Sequence, residues 1–398
     1  MKTKTLALSI LITTLCMASC GSARNSTTDN DMTVVAGLTD NNEVEKTLNL
    51  GKFNGIESSV IVDIHYTQGS KRNVRMRTSK EQIDRYDISV NGSTLVLKKK
   101  DNKSGSGRGS KEDKITLYVT APDINFIDNR GIMKFYTKLI GSGGLQIRNK
   151  GILDMNIQNV HGKGSSTLSI DNSGRMTAEM SAVDVRMFSL DNKGMLTFRS
   201  TGITGSLKLD NSGQLTFSGN VEGSTAELEN KGVCNLTSAF NLTDDYSFSN
   251  GGQMSMSGDV KGTSATLKNT GVYRMEGSFR LNGGYIYDNS GQADNNGGVT
   301  AKTISMSNSG MDSRDGSLKA DLLTMSVNGQ SNYKMSFTGG DAKLKCSGMG
   351  EFRLALDCRS IEVNSNGQIN VELSGTADKT SFDGSGISHL KTSRLNKF

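Results

Sequence analysis

Side chains capable of chemistry are few in this chain and widely spread. The three histidines, His65, His161 and His389, lie far apart without metal-ligand spacing. A zinc site or a histidine-activated nucleophile needs companions at set positions, so each histidine reads as a surface or turn residue. One stretch, Asp288 to Asp315, departs from the pattern around it. There Asp294-Asn-Asn-Gly-Gly298 and Asp312-Ser-Arg-Asp315 stand where apolar residues are the rule, with Asn295 and Arg314 at the usually apolar positions. Asp294, Asp312, Arg314 and Asp315 are therefore the candidate binding residues. A carboxylate-rich or Ca²⁺-binding site is one reading, although the spacing of a calcium loop is missing. A local bulge or extruded loop is the other. The basic segment Lys98 to Lys114 has seven Lys/Arg against three acids; it fits contact with anionic glycans or headgroups, or a solvated loop. No catalytic residue, metal ligand or cofactor is assigned.

Cys20 has a different chemistry. Lys2 and Lys4 precede an apolar run from Leu6 to Leu15, too short to span a bilayer permanently. Met17-Ala18-Ser19-Cys20 then has the form of a bacterial lipobox, in which cleavage leaves Cys20 first and its thiol takes a diacylglycerol. Residues 1–19 are the expected signal peptide, and residues 20–46 the lipidated cysteine with a polar tether. That places the mature chain at the outer membrane, facing the periplasm or the cell surface, with the lipid anchor as its membrane contact. The other cysteines, Cys234, Cys346 and Cys358, are odd in number and form no complete disulfide framework. A Cys346–Cys358 bridge and buried free thiols both remain open.

The elements that must position these residues are short strands. With 46 Gly, one Pro, no Trp and 34% apolar residues in 398, the chain is too polar for a thick two-layer core. Its charge, 46 Lys+Arg against 40 Asp+Glu, gives little reason to expect a nucleic-acid partner, and export argues against one. From about Ile124 onward Asn-x-Gly recurs about every 20 residues, from Asn129-Arg-Gly131 to Asn308-Ser-Gly310, with weaker copies at Gly329, Gly350, Gly367 and Gly386. The fourth residue before each glycine is apolar, and alternation resumes two and four residues after it, as in Leu215/Phe217. Period two means two short strands per repeat. Asn and Gly between them mark a corner that tolerates positive φ. One repeat cannot bury its own apolar residues, so the copies must stack. The fold class expected is all-β: a parallel β-helix or β-roll solenoid of about 20-residue coils. Stacked asparagine amides are expected to hydrogen-bond along it.

Residues 47–122 form an N-terminal β-strand region capping the solenoid, and residues 123–398 the repeats. Phe53-Asn-Gly-Ile56, Val60-Ile-Val-Asp-Ile64, Gln68-Gly69, the Asn91-Gly-Ser93 hairpin with Leu95 and Leu97, the strand ending at Pro122, and Gly141-Ser-Gly-Gly144 occur in order. This set resembles the adhesin family that carries the head GIN domain, most closely over residues 50–200. The resemblance implies an exported, often lipid-anchored β-helix-like protein. It leads us to expect a non-catalytic cell-envelope adhesin that binds a glycan or a cell-surface partner. A structural envelope scaffold and a β-helix carbohydrate-active enzyme are the alternatives. The enzyme would need paired carboxylates on neighbouring coils of one outward face, whereas most outward positions hold Ser, Thr, Lys, Asn or Gln.

Overall fold

The computed structural model describes residues 43–100, 114–162, 164–385 and 388–397, all within one compact unit, Val35–Phe398. Cys20, the signal segment, most of the tether, the interior of the basic loop and Gly386 lie outside the described residues. Among the described residues there is no helix. A typical coil runs Ala226–Asn230, Val233–Thr237 and Phe240–Leu242 before the next begins at Asp245. Each strand pairs in parallel with its equivalents one coil away: Leu228 lies between Leu209 and Phe248, and Cys234 between Leu215 and Met254. The solenoid is therefore three-sided, with one side more than the alternation around the asparagines indicates.

That third side has its own sequence signal. A buried apolar residue stands eight positions after the corner glycine: Val221, Phe240, Val260, Phe279, Val299, Leu318, Phe337 and Leu356. In earlier coils it stands nine positions after, as Ile140, Val160, Val183 and Ile203. Where the longer coil meets the shorter one, the ladder slips between Arg199 and Gly202. The side is only two or three residues long in most coils, so its alternation is too brief to stand out.

The corners work differently from the expectation. None of Gly131, Gly151, Gly174, Gly194, Gly213 or Gly232 has a positive φ. They are glycine because coils approach closely: a Cβ on Gly213 would press into the carbonyl oxygen of Gly194, and one on Gly232 into that of Gly213. Positive φ falls at a second glycine column six residues on, as at Gly258 (136°) and Gly277 (147°). The corner series also corrects one position. Gly348, not Gly350, stacks on Gly329 and under Gly367, which restores even 19-residue spacing; Gly350 lies within the strand Met349–Ser365.

The asparagines do form a ladder, and it is internal. Asn129, Asn149, Asn172, Asn192, Asn211, Asn230, Asn250, Asn269, Asn289 and Asn308 are all buried. Each Nδ2 donates to the Oδ1 of the next at 2.7–2.8 Å. Each also donates to the carbonyl just past the next corner, for example Asn211 to Val233 at 3.1 Å. The ladder ends where Asn308 donates to Ser331 Oγ at 2.9 Å and Val327 takes the next place in the column.

Toward the N-terminus, strands β1 (Glu43–Leu48), β2 (Gly55–Ser58), β3 (Ile61–Gln68), β4 (Asn73–Ser79), β5 (Tyr86–Asn91), β6 (Thr94–Lys99), β7 (Lys114–Ala121), β8 (Phe126–Asn129) and β9 (Ile132–Ser142) are interleaved. β2 and β3 join the parallel ladders beside β8 and β9, and β6 and β7 lie on their other side. β1, β4 and β5 add on antiparallel at the outer end. Charged residues stud β1, with Glu43 on Arg77 and Glu45 on Arg75, the usual protection of an open sheet edge. Cys234, Cys346 and Cys358 are free and buried. Burial pushes the Cys234 and Cys346 thiols up to about 12 and Cys358 to about 11.

Candidate functional site

The four candidate residues do not form one site. Residues Gln292–Asn296 pair with Met311–Asp315 in unbroken register, so there is no bulge and no extruded loop. Strand alternation turns Asp312 and Arg314 inward and Asp294 and Asp315 outward. Asp315 lies 3.7 Å from Lys334 at the surface. Asp312 and Arg314 sit in the core with Asn295, which is why they replace apolar residues. Asp312 Oδ2 accepts from Tyr333 Oη at 2.6 Å; its Oδ1 accepts from Asn295 Nδ2 at 2.9 Å and Tyr287 Oη at 3.3 Å. Arg314 Nη2 is 4.0 Å from Asp312 Oδ2, and its guanidinium lies over the Tyr287 ring at 4.6 Å. Burial pushes the Asp312 carboxyl above the ordinary carboxylate range, against the pull of Arg314 and its hydrogen-bond donors. This network is sealed from solvent and cannot touch a ligand. Among the described residues no three His, Cys, Asp or Glu side chains are grouped as metal ligands.

The exposed chemistry lies near the start of the solenoid. β7, β3 and β9 pair so that Tyr118, His65 and Tyr136 occupy one outward column. His65 is sandwiched between the two tyrosines, with ring centroids 5.3 and 5.1 Å apart and the planes within 18°. The Arg75 guanidinium covers the outer face of Tyr118 at 5.2 Å and is held by Glu45 at 2.7 Å. Beyond Tyr136 the column continues with the shorter Asn156. Tyr136 borders an open groove of about 510 Å³ that is also lined by Thr67, Lys138, Asn156 and Gln158. Gln68 fixes this wall by donating to the carbonyls of Pro122 and Gly141 and accepting from Gly141 N, all at 2.9 Å. That clamp gives a physical role to Gln68 and to Gly141 near the end of β9.

The histidines are indeed surface residues, but all three lie on strands. His161 pairs with Asp184 at 2.8 Å. The sequence signal for the aromatic column was the outward place of His65 between buried Ile64 and Tyr66, matched by Tyr118 and Tyr136. Only the non-sequential order β7–β3–β9 brings the three together.

Parallel coils stacked in register define a β-solenoid. Residues 52–201 match the sequence profile of the family described as "Putative auto-transporter adhesin, head GIN domain", so over that segment the resemblance drawn from the sequence holds. The aromatic column and its groove fall inside the matched segment. A "putative adhesin" of Bacteroides fragilis is 16% identical, with 60% of this chain and 97% of that chain covered and a TM-score of 0.41. A "putative adhesin" of Parabacteroides merdae is 9% identical over 88% and 96%, with a TM-score of 0.19. A "Putative lipid binding protein" of Parabacteroides distasonis is 11% identical over 88% and 97%, with a TM-score of 0.20. Among curated proteins none matches the chain.

Proposed function

We propose that the protein is a non-catalytic adhesin of the cell envelope. It is held at the outer membrane by a lipid on Cys20 and binds a glycan in the groove beside Tyr136. The half-buried ring of Tyr136 at the groove carries this reading. An aromatic face presents its negative π surface to polarised C–H groups, and the sugar ring is the common surface ligand with such groups on one side and hydroxyls at its rim. Asn156, Gln158 and Thr67 supply donors and acceptors for those hydroxyls. Stacking behind the ring by His65, Tyr118 and Arg75 fixes its orientation before a ligand arrives, which lowers the entropic cost of binding. The adhesin description of the family matching residues 52–201 is consistent with this role.

Titrating a panel of polysaccharides against the purified full chain tests the reading. Saturable binding that falls about tenfold in Tyr136→Ala, with the melting curve unchanged, is expected. No glycan binding at all would favour the scaffold alternative. Glycan turnover by the purified chain, kept in Tyr136→Ala, would favour the enzyme. Protease shaving of intact cells would show whether the groove faces outward from the cell. Cys20→Ser, expected to release the protein from membranes, tests the anchor.

A further inference from the structure

The Asn-x-Gly corners alternate in composition from coil to coil. The residues flanking each glycine read Lys193 and Met195, Ser212 and Gln214, Lys231 and Val233, Gly251 and Gln253, Thr270 and Val272, Ser290 and Gln292. The series then becomes strictly two-valued: Ser309 and Met311, Asn328 and Gln330, Ser347 and Met349, Asn366 and Gln368. In-register stacking sets these residues in two parallel rows. Between the rows lies a floor of bare glycine, Gly310, Gly329, Gly348 and Gly367, and together they bound an open groove of about 870 Å³. Met311 and Met349 are each 47% exposed, and the flanking Ser, Asn and Gln residues are exposed too. Packing does not account for this: the methionines cover no core, and an all-glutamine or all-methionine row would stack equally well.

We infer that this corner groove binds a neutral, linear β-1,4-linked polysaccharide laid along the solenoid axis, one sugar per coil. Three observations select this occupant. First, all twelve residues bounding the groove are uncharged, which suits a neutral chain better than an anionic one. Second, the like-faced period is two coils, about 9.4–9.8 Å at the usual strand spacing. A pyranose unit with its glycosidic oxygen advances roughly 5 Å on ordinary bond lengths, and a β-1,4 link turns each sugar about half a turn from the last. Like faces then recur at every second sugar, in step with every second coil. An extended peptide repeats about every 6.8 Å and falls out of step. Third, the floor's backbone groups are already used between coils, as in Gln330 N donating to Gly310 O at 2.8 Å. The floor therefore offers an uncharged surface without side chains at which a ribbon can lie close, with methionine beside one sugar and the amides of Asn and Gln at the hydroxyls of the next. A polyproline II helix, at about 9.3 Å per turn, would also keep step, but grooves for it are lined by aromatic rings and this one has none.

The site is separate from the Tyr136 groove, and the experiment keeps the two apart. Cellohexaose, chitohexaose, maltohexaose and a proline-rich peptide are titrated calorimetrically into the full chain carrying Tyr136→Ala. Binding of a β-1,4 hexasaccharide, weaker for its disaccharide and absent for maltohexaose, is expected. Adding Met311→Gln and Met349→Gln should weaken that binding about tenfold, since both positions are exposed and the change breaks only the alternation. The inference is overturned by absence of β-1,4 binding in the Tyr136→Ala chain, by equal binding of maltohexaose, by capture of the proline-rich peptide instead, or by indifference to the methionine changes. Binding lost in Tyr136→Ala alone would sink the corner groove and leave the adhesin reading intact. Binding kept there and lost in the methionine variant would assign it to the corner groove and leave the Tyr136 groove to its own titration.

Discussion

The buried pair Asp312–Arg314 allows a quantitative test of how the solenoid tolerates charge in its core. At 4.0 Å and an effective dielectric constant of about 20, the mutual attraction is about 4 kcal/mol. Asp312→Asn keeps the shape but leaves Arg314 charged, buried and unpaired, so a loss of about 3–5 kcal/mol is expected. Arg314→Met leaves a carboxylate that retains Tyr333, Asn295 and Tyr287 as donors and is able to take up a proton. The double variant removes both charges, and with them Arg314 Nε and Nη2, which have no hydrogen-bond partner. It should return to within about 1 kcal/mol of the parent. The coupling in this cycle is then about 3–4 kcal/mol. In Arg314→Met the cation that pulls Asp312 down is gone, so its pKa, already raised by burial, rises further. A raised folded-state pKa gives stability that is present below the unfolded value of about 3.9 and is lost as pH climbs through the folded one. The deficit of Arg314→Met must therefore shrink on going from pH 8 to pH 5, whereas Asp312→Asn has no titrating group at this position and loses the parent's own pH dependence there. Because stacked coils open locally, the assay is hydrogen exchange of strand amides in residues 292–335 at several urea concentrations. Coupling below about 1 kcal/mol, or equal deficits of Arg314→Met at both pH values, would refute the reasoning.

Asn211→Ala leaves Asn230 Oδ1 and Val233 O without their donor and Asn192 Nδ2 without one acceptor. A cost of about 2–5 kcal/mol by denaturant titration is expected, against under about 0.5 kcal/mol for exposed Ser212→Ala. Two glycines at the corners should separate sharply. Gly213→Ala drives its Cβ into Gly194 and should cost about 3 kcal/mol or more, whereas Gly251→Ala meets nothing closer than 3.6 Å and should cost less than about 1 kcal/mol. With their thiols pushed up to about 12, 12 and 11, Cys234, Cys346 and Cys358 should resist a soluble thiol reagent at pH 8 in the native state. All three should react in concentrated urea; fast native labelling of Cys234 or Cys346 would contradict the burial.

The solenoid was legible because its signal is periodic twice over. Two-residue alternation gives the strands, and the 19-residue return of Asn and Gly gives the stack. Each copy reinforces the others, so even Cys234 and Met254 are recognisable as core by their place in the Leu215 column. What escaped was short or displaced. The third side contributes two or three residues per coil, and its apolar mark moves from nine positions after the glycine to eight, which blurs it in a linear reading. The reason for glycine at the corner escaped too, because a close approach between coils is a contact at a separation of about 19 residues and leaves no local trace. Gly350 was mistaken for a corner because Gly348 stands two residues before it and the asparagine that marks earlier corners is gone.

The site failed to appear for a deeper reason. Charge draws the eye in a polar sequence, and Asp294, Asp312, Arg314 and Asp315 are the densest charged group at unusual positions. Yet the alternation that defines the fold sends half of any such cluster inward, and a polar residue at an inward position is evidence of a core network before it is evidence of a ligand. The residues on which the two proposed grooves rest are of the opposite kind: apolar or aromatic side chains at outward positions, where burial gives no reason for them. His65, Tyr118 and Tyr136 satisfy that rule, and so do Met311 and Met349. In a solenoid the inward columns answer to stability and the outward ones are free to vary. Binding chemistry should therefore be sought as a break from Ser, Thr and Asn on the outside, and a mutational scan of outward columns should find its binding defects concentrated at these two grooves.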